Sequence, residues 1–320
     1  MKRYTDLAQI PADLGPTAVT IGNFDGVHIG HQKLLTSLVE TAHREGLKAV
    51  AVSFDPHPAQ VHQPGSAHCQ VMDQEDRQAI MTSLGLDIYL LLHYDLAFAA
   101  QSPEEFVVKT FVQALKAKYV VIGDDVRFGK KNSGDLNTMK DLGQKYGFEV
   151  LVVQDLLAPD DRRCSSTSIR DYLAQGKVQQ AAEILGRNHY MRGQVVHGAA
   201  RGRELGFPTA NLSPDSLGLV PADGVYAGWL TDQEGKRHPV AVSVGTNPTF
   251  EGIESRQVEA YVMGRPAERV EDFNLYGQQV TLEFVAYLRG MVAYRGVEAL
   301  IEQMHSDVEQ AQKVLGLKES

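Results

Sequence analysis

The sequence predicts two domains of different class: an α/β N-terminal domain around a Rossmann-like parallel sheet, then a small antiparallel β-barrel domain with a terminal helix. Three observations carry this. At 320 residues the chain is long enough for two domains of roughly 100 to 200 residues each. Its first half alternates short apolar runs with helical patterns, the signature of a parallel sheet covered on both faces. Past Leu185-Gly186-Arg187 the pattern turns to short strand-like runs broken by turn residues, with no helices between them, which suits a small barrel. The expected division is 1–186 and 187–320.

Taken in order, Thr17 to Phe24 (TAVTIGNF) reads as a short buried strand. A helix follows, with Leu34, Leu35, Leu38, Val39 and Ala42 on one face. Lys48 to Phe54 is the next strand, stopped by Asp55-Pro56. Asp87 to Leu92, Tyr119 to Ile122 and Phe148 to Val153 are further strands, with helices expected over Pro103 to Lys116 and Leu136 to Tyr146. Two short helices, Ser168 to Ala174 and Val178 to Leu185, precede the change of pattern. The barrel strands are expected at Gln194 to His197, Val225 to Leu230, Val240 to Val244, Val258 to Met263 and Val280 to Leu288, separated by turns at Gly224, Gly235 and Gly277. The closing helix spans about Val297 to Leu315, with Leu300, Ile301, Met304, Val308 and Ala311 inward.

Composition narrows the function classes. A content of 43% hydrophobic and 22% charged residues is that of a soluble globular protein. A formal net charge of −9 argues against nucleic acid as a partner, while locally focused cationic groups still admit ATP. Cys69 and Cys164 do not make a disulfide framework and read as reduced thiols of a cytoplasmic protein. No apolar run is long enough for a membrane span, and Lys2 and Arg3 are not followed by the apolar core of a secretory signal. A monomer or a weak homo-oligomer is expected.

The first chemically informative stretch runs Gly22-Asn23-Phe24-Asp25-Gly26-Val27-His28-Ile29-Gly30-His31, where the first strand gives way to the first helix. A helix N-terminus offers unpaired N–H groups and partial positive charge, which suit a phosphate. Gly26 and Gly30 permit close backbone approach. His28 and His31 are one helical turn apart and so share a face, from which two imidazoles can donate to phosphate oxygens. Zinc binding is disfavoured because no third ligand lies at a suitable spacing.

This stretch resembles the nucleotidyltransferase superfamily with the H-x-G-H signature, which includes class I aminoacyl-tRNA synthetases and small-molecule adenylyl- and cytidylyltransferases. Phe54-Asp55-Pro56-His57-Pro58, Ile122-Gly123-Asp124-Asp125-Val126-Arg127-Phe128-Gly129 and Ser165-Ser166-Thr167-Ser168-Ile169-Arg170 narrow the resemblance to the FMN adenylyltransferase module of bacterial FAD synthetases. It implies ATP and phosphate contacts from Gly22, Asn23, Phe24, Asp25, Gly26, Gly30, Asp125, Arg163, Ser165, Ser166, Thr167 and Arg170, with His28 and His31 catalytic. The last motif makes physical sense as a phosphate grip, with hydroxyls and N–H groups at a helix start and Arg163 or Arg170 as a cation for the departing pyrophosphate. Val126 stands where the family has an aromatic residue, which leaves Phe128 as the aromatic of that segment.

The second half carries Arg192 to Gly198, then Arg201-Gly202-Arg203-Glu204-Leu205-Gly206-Phe207-Pro208-Thr209-Ala210-Asn211-Leu212, Asp223-Gly224-Val225-Tyr226, Gly245 to Phe250, Val258-Glu259-Ala260 and Leu275-Tyr276-Gly277. In this order the motifs resemble riboflavin kinase over Leu185 to Leu315. The resemblance implies Glu259 as the general base for a weakly nucleophilic hydroxyl, and Thr209 and Asn211 as Mg²⁺ and phosphate ligands. Gly198, Arg201, Gly202, Gly206 and Pro208 are implied to belong to a nucleotide-covering loop. Ala199-Ala200 and Tyr294-Arg295 depart from the family pattern.

Together the two resemblances imply a bifunctional enzyme that phosphorylates riboflavin to FMN and adenylylates FMN to FAD, with ATP as donor in both steps. A single active transferase joined to a flavin-sensing domain is the alternative. A tRNA-related protein is opposed by the net charge, by the lack of a Lys-Met-Ser-Lys-Ser run and by the kinase-like half.

Overall fold

The computed structural model describes residues 1–63, 70–158, 162–198, 207–248, 254–264, 274–292 and 296–317. Cys69, Ala199-Ala200 and Tyr294-Arg295 lie outside them. The chain divides into two compact units, Met1–Ser165 and Ser166–Ser320.

The first unit holds a six-stranded sheet of β1 (Lys2–Tyr4), β2 (Thr17–Ile21), β3 (Lys48–Asp55), β4 (Ile88–His93), β5 (Ala117–Gly123) and β6 (Glu149–Val153). The order is β1-β4-β3-β2-β5-β6 and every pairing is parallel. Central strands such as β3 and β4 are continuous apolar runs because both faces are covered. From β2 the chain winds outward through β3 and β4, then returns to β5 and leaves the other way. The strand order therefore reverses between β2 and β5, and ligands of such sheets bind beyond the carboxyl ends of the strands at that crevice.

Helix α1 (Ile29–Arg44) buries Leu35, Leu38, Val39 and Ala42, the face expected from periodicity, with Leu34 half-buried. Helix α2 (Pro58–His62) starts at a His57 cap, and α3 (Gln74–Ser83) at Asp73, whose carboxylate accepts the Glu75 and Asp76 N–H groups. Helix α4 is Leu96–Ala99, and α5 (Pro103–Phe106) runs on as a π-helical segment, Val107–Ala114. A capping box between Ser102 and Glu105, with Pro103 at the first position, sets where α5 begins. Helix α6 (Leu136–Tyr146) matches its expected span and ends on Gly147 in the left-handed region.

The second unit opens with α7 (Ser166–Ala174) and α8 (Val178–Leu185). A closed barrel follows, built from β7 (His189–Val196), β8 (Thr209–Leu212), β9 (Gly224–Thr231), β10 (Arg237–Pro248), β11 (Glu254–Val262) and β12 (Gln279–Arg289) in the order β10-β11-β8-β7-β12-β9. All its pairings are antiparallel. Alternation puts Val280, Leu282, Phe284 and Ala286 of β12 inside. Gly228 is required where β9 meets β12, because a Cβ there would lie 2.2 Å from the Glu283 carbonyl oxygen.

The terminal helix α9 (Val297–Val314) departs from its expected face. Of the five residues expected inward only Ala311 is fully buried, and Leu300, Ile301, Met304 and Val308 are half-buried. The other fully buried position is Asp307, which takes two bonds from Arg289 of β12 (Nε 2.7 Å, Nη2 2.6 Å) and one from Gln303 (3.0 Å). The helix lies on the outside of the barrel and is anchored by charge as well as apolar contact.

His189, at the start of β7, is buried, stacks on Phe284 and donates from Nε2 to the Leu219 carbonyl at 2.6 Å. Burial pushes its pKa down from 6.5 to about 4, partly offset by that bond. Below pH 6.5 the unfolded chain takes up a proton that the folded chain refuses until about pH 4, so stability falls with pH across this window. The expected loss is about 3 kcal/mol. Urea unfolding of the barrel between pH 6.5 and 4.5 should show this slope, and His189→Gln should flatten it.

Candidate functional site

In the first unit the residues between β2 and α1 sit at the carboxyl end of β2, beside the reversal in strand order. His28 is the N-cap of α1. Its Nδ1 accepts the His31 N–H at 3.3 Å, so the neutral ring carries its proton on Nε2. The two imidazoles stack with centroids 3.6 Å apart, which confirms that the spacing places them together. Phe24 packs edge-on against His31 at 5.3 Å. His31 is held well below the ordinary histidine range, first by burial, then by His28, Arg77 and Arg163. The His31 ring therefore acts as a neutral hydrogen-bonding group rather than as a fixed cation.

The glycines also serve packing within the motif itself. A Cβ on Gly30 would meet the His28 ring at 3.2 Å, and one on Gly22 would meet the Phe24 ring at 3.0 Å. These positions make room for side chains of the same motif. Gly26 has φ 78°, which a side chain disfavours.

Asp25, grouped with the phosphate contacts by resemblance, is 1% exposed. Its carboxylate accepts Val71 N–H at 2.9 and 3.1 Å and lies 3.6 Å from Arg77 Nη2. Asn23 offers its carbonyl to Arg77 Nη1 at 3.0 Å and to Ser53 Oγ at 3.4 Å. Arg77 carried no motif and was missed, since a lone arginine inside a polar helix reads as surface.

At the end of β5, Asp125 forms an ion pair with Arg163, which also reaches Asp155 at 2.5 Å. Carboxylate oxygens of Asp124, Asp125 and Asp155 come within 4.8 Å of one another. Burial raises the Asp155 pKa, with Asp125 and Asp124 acting in the same sense against Arg163. Phe128 is a core residue, its ring over Gly134, and Val126 packs at the edge of the same core. Ser165 directly precedes α7, while Ser166, Thr167 and Arg170 lie in its first turns, with Arg170 Nη2 donating to Thr167 Oγ1 at 3.4 Å.

An open cavity of about 490 Å³ lies beyond the strand ends, lined by His62 after β3, Leu96, Ala99 and Ala100 after β4, and Lys130, Lys131 and Asn132 after β5. Its walls combine cationic and apolar groups.

In the second unit β8 presents Thr209 and Asn211 outward and buries Ala210 and Leu212 inside the barrel. Strand β11 pairs Glu259 with Asn211 and Tyr261 with Thr209. All three polar groups therefore share one patch of the outer surface, and Thr209 Oγ1 donates to Glu259 Oε2 at 3.3 Å. The Asn211 amide donates to the Thr209 carbonyl at 3.3 Å. Gly198 closes over this patch, where a Cβ would sit 2.4 Å from Asn211 Cγ. The His197 ring stacks on Tyr276 at 3.9 Å, bringing the Leu275-Tyr276-Gly277 turn beside the same strand end. Arg201, Gly202 and Gly206 lie outside the described residues, and Pro208 directly precedes β8.

Comparison with known proteins bears on both units. Residues 10–168 match the family model described as FAD synthetase, and residues 185–315 match that described as riboflavin kinase. A Listeria monocytogenes protein named bifunctional riboflavin kinase/FMN adenylyltransferase is 33% identical over 308 residues, covering 95% of this chain and 91% of its own. The Escherichia coli K12 protein of the same name is 31% identical over 312 residues, covering 98% and 96%. A crystal structure from Streptococcus pneumoniae, described as a macrolide-efflux protein, superposes with a TM-score of 0.86 at 29% identity, covering 97% of this chain and 98% of that one. Among the described residues no helix is long and apolar enough to cross a membrane.

Proposed function

This chain belongs to the bifunctional riboflavin kinase/FMN adenylyltransferase family, and we propose the residues through which each half performs its reaction. The observation that carries the kinase assignment is the Thr209, Asn211 and Glu259 patch on the outer face of the barrel. In the kinase reaction the riboflavin 5′-oxygen attacks the γ-phosphorus of ATP, its proton passes to Glu259, and the bond to ADP breaks. The hydroxyl is a poor nucleophile at neutral pH, so a carboxylate within reach lowers the barrier. Thr209 Oγ1, Asn211 and Glu259 form a set of hard oxygen donors, and the gap kept by Gly198 preserves the Asn211 position. That set suits Mg²⁺, which Thr209 and Asn211 would hold. When bound, the ion neutralises charge on the ATP phosphates. Gly198, Arg201, Gly202, Gly206 and Pro208 are assigned to the nucleotide-covering segment.

In adenylylation an FMN phosphate oxygen attacks the α-phosphorus of ATP and pyrophosphate leaves. The nucleophile is already an anion, so positioning and charge stabilisation dominate. We assign this to His28 and His31 with the Gly22 to Gly30 backbone, and the pyrophosphate to Arg163, Ser165, Ser166, Thr167 and Arg170. The cavity lined by His62, Lys130 and Lys131 has the cationic and apolar walls that FMN needs. Asp125 is assigned to holding Arg163. A cytoplasmic monomer or weak homo-oligomer is the setting proposed. Chromatography of the purified chain with ATP, Mg²⁺ and riboflavin should show FMN first and FAD after it. FMN that accumulates without any FAD would refute the adenylyltransferase assignment.

The division 1–186 and 187–320 is proposed as the functional boundary, because the barrel's first strand begins at His189. A fragment starting at Arg187 should still convert riboflavin to FMN. One starting at Ser166 should be the more stable, since Gly176 and Gln179 of the helix pair pack on Tyr287. A folded Arg187 fragment without kinase activity would show that the kinase needs the helix pair.

A further inference from the structure

We infer that Arg77 is a positioning residue for adenylyl transfer: its guanidinium, buried behind the loop from Gly22 to Ile29, holds Asn23 and Asp25 in the conformation from which His28 and His31 act. The inference rests on the assignment of the His28 and His31 site proposed above.

Arg77 is 1% exposed although it lies in the polar helix α3. Its Nη1 donates to the Asn23 carbonyl at 3.0 Å and its Nη2 to Gln70 Oε1 at 3.3 Å, with Asp25 Oδ1 3.6 Å from Nη2. Asp25 is itself fixed by the Val71 N–H at 2.9 Å and the Met72 N–H at 3.4 Å. Phe24 stands between these two anchored residues with φ 52°, a left-handed conformation that a bulky residue keeps only when its surroundings hold it. The Phe24 ring packs edge-on to His31, and His31 stacks on His28. A continuous path of bonds and ring contacts thus runs from Arg77 through Asn23 and Asp25 to Phe24, His31 and His28. An arginine suits this place because its planar fork serves several acceptors at fixed angles, which a lysine cannot do.

Two roles must be separated. Arg77 either holds the loop's shape, or acts only through its charge, by neutralising the buried Asp25 carboxylate and lowering the His31 pKa, a charge that Arg77→Lys keeps. The full chain carrying Arg77→Lys, Arg77→Met, or Arg77→Met together with Asp25→Asn distinguishes them. FMN adenylylation (kcat, and KM for ATP) is measured beside thermal unfolding, with riboflavin phosphorylation by the same preparation as internal reference. Arg77→Met is expected to lower adenylylation kcat at least tenfold with phosphorylation within twofold of the parent. Arg77→Lys should fall between the two. The double variant, which has no unpaired charge, should recover the parental unfolding temperature yet stay roughly tenfold slow. Recovery of adenylylation to within about threefold of the parent in that folded double variant would overturn the inference. Should the Met variants not fold, Arg77→Lys decides alone. A kcat at least roughly threefold low at an unchanged unfolding temperature supports positioning, and a parental kcat refutes it. If replacing His28 and His31 leaves FAD formation intact, the site assignment itself has failed. If that replacement abolishes FAD formation while the folded Arg77 variants keep the parental rate, only this inference has.

Discussion

Glu259→Gln should lower turnover from riboflavin by roughly a hundredfold to ten-thousandfold, the range typical of losing a general base. The substitution keeps size and polarity, so the side chain can still accept from Thr209 Oγ1, as Glu259 does at 3.3 Å. What it removes is the capacity to take the hydroxyl proton. Binding of riboflavin and ATP should change much less, because a base acts mainly in the transition state. FMN adenylylation, assigned to the other half, should be untouched. A purely structural Glu259 makes the opposite forecast: turnover is kept, or stability and binding fall together. Steady-state kinetics with riboflavin beside a binding titration separates the two. A loss smaller than about threefold would take Glu259 out of the base role.

The second large effect is expected from replacing His28 and His31 together by alanine. FAD formation from FMN should fall by roughly a hundredfold or more, as when one preorganised donor to developing phosphate charge is lost. Riboflavin phosphorylation should remain. The stacked geometry explains why both are replaced: the rings lie 3.6 Å apart, and His28 Nδ1 also caps α1 through the His31 N–H. Part of any effect at His28 would thus be loss of the cap, worth about 1 kcal/mol. Circular dichroism and thermal unfolding of the double variant test for that. An unchanged rate of FAD synthesis in the folded double variant would remove the phosphate-site assignment.

Much of this architecture is legible in the sequence. The alternation of runs such as KAVAVSF with helical patterns led to the parallel sheet, and the change after Arg187 led to the barrel. Elements whose pattern is weak escaped. Strand β1 is three residues long and mostly polar, and α2 and α4 have five and four residues, too short for a period to show. Strand β8 escaped as well, because its identity depends on pairing with residues roughly fifty positions away. At the sites, motif residues stood out, but their supports did not. Arg77 and Asp155 acquire meaning only once folding brings them to Asp25 and Arg163. Likewise, the motif marks Gly22 and Gly30 as candidate phosphate contacts, and only the fold reveals that their hydrogens also make space for Phe24 and His28.

The short strand β8 has a consequence for how this family can vary. It is sewn to β11 on one side and β7 on the other, and Asn211 has a register partner on each, Glu259 and Val196. A strand fixed along both edges cannot slide to absorb a length change. One residue inserted between Thr209 and Asn211 would put one of them on the opposite side of the sheet, and send a side-chain oxygen proposed above as a metal ligand into the apolar interior of the barrel. Insertions and deletions should therefore be absent from the four residues of β8 itself.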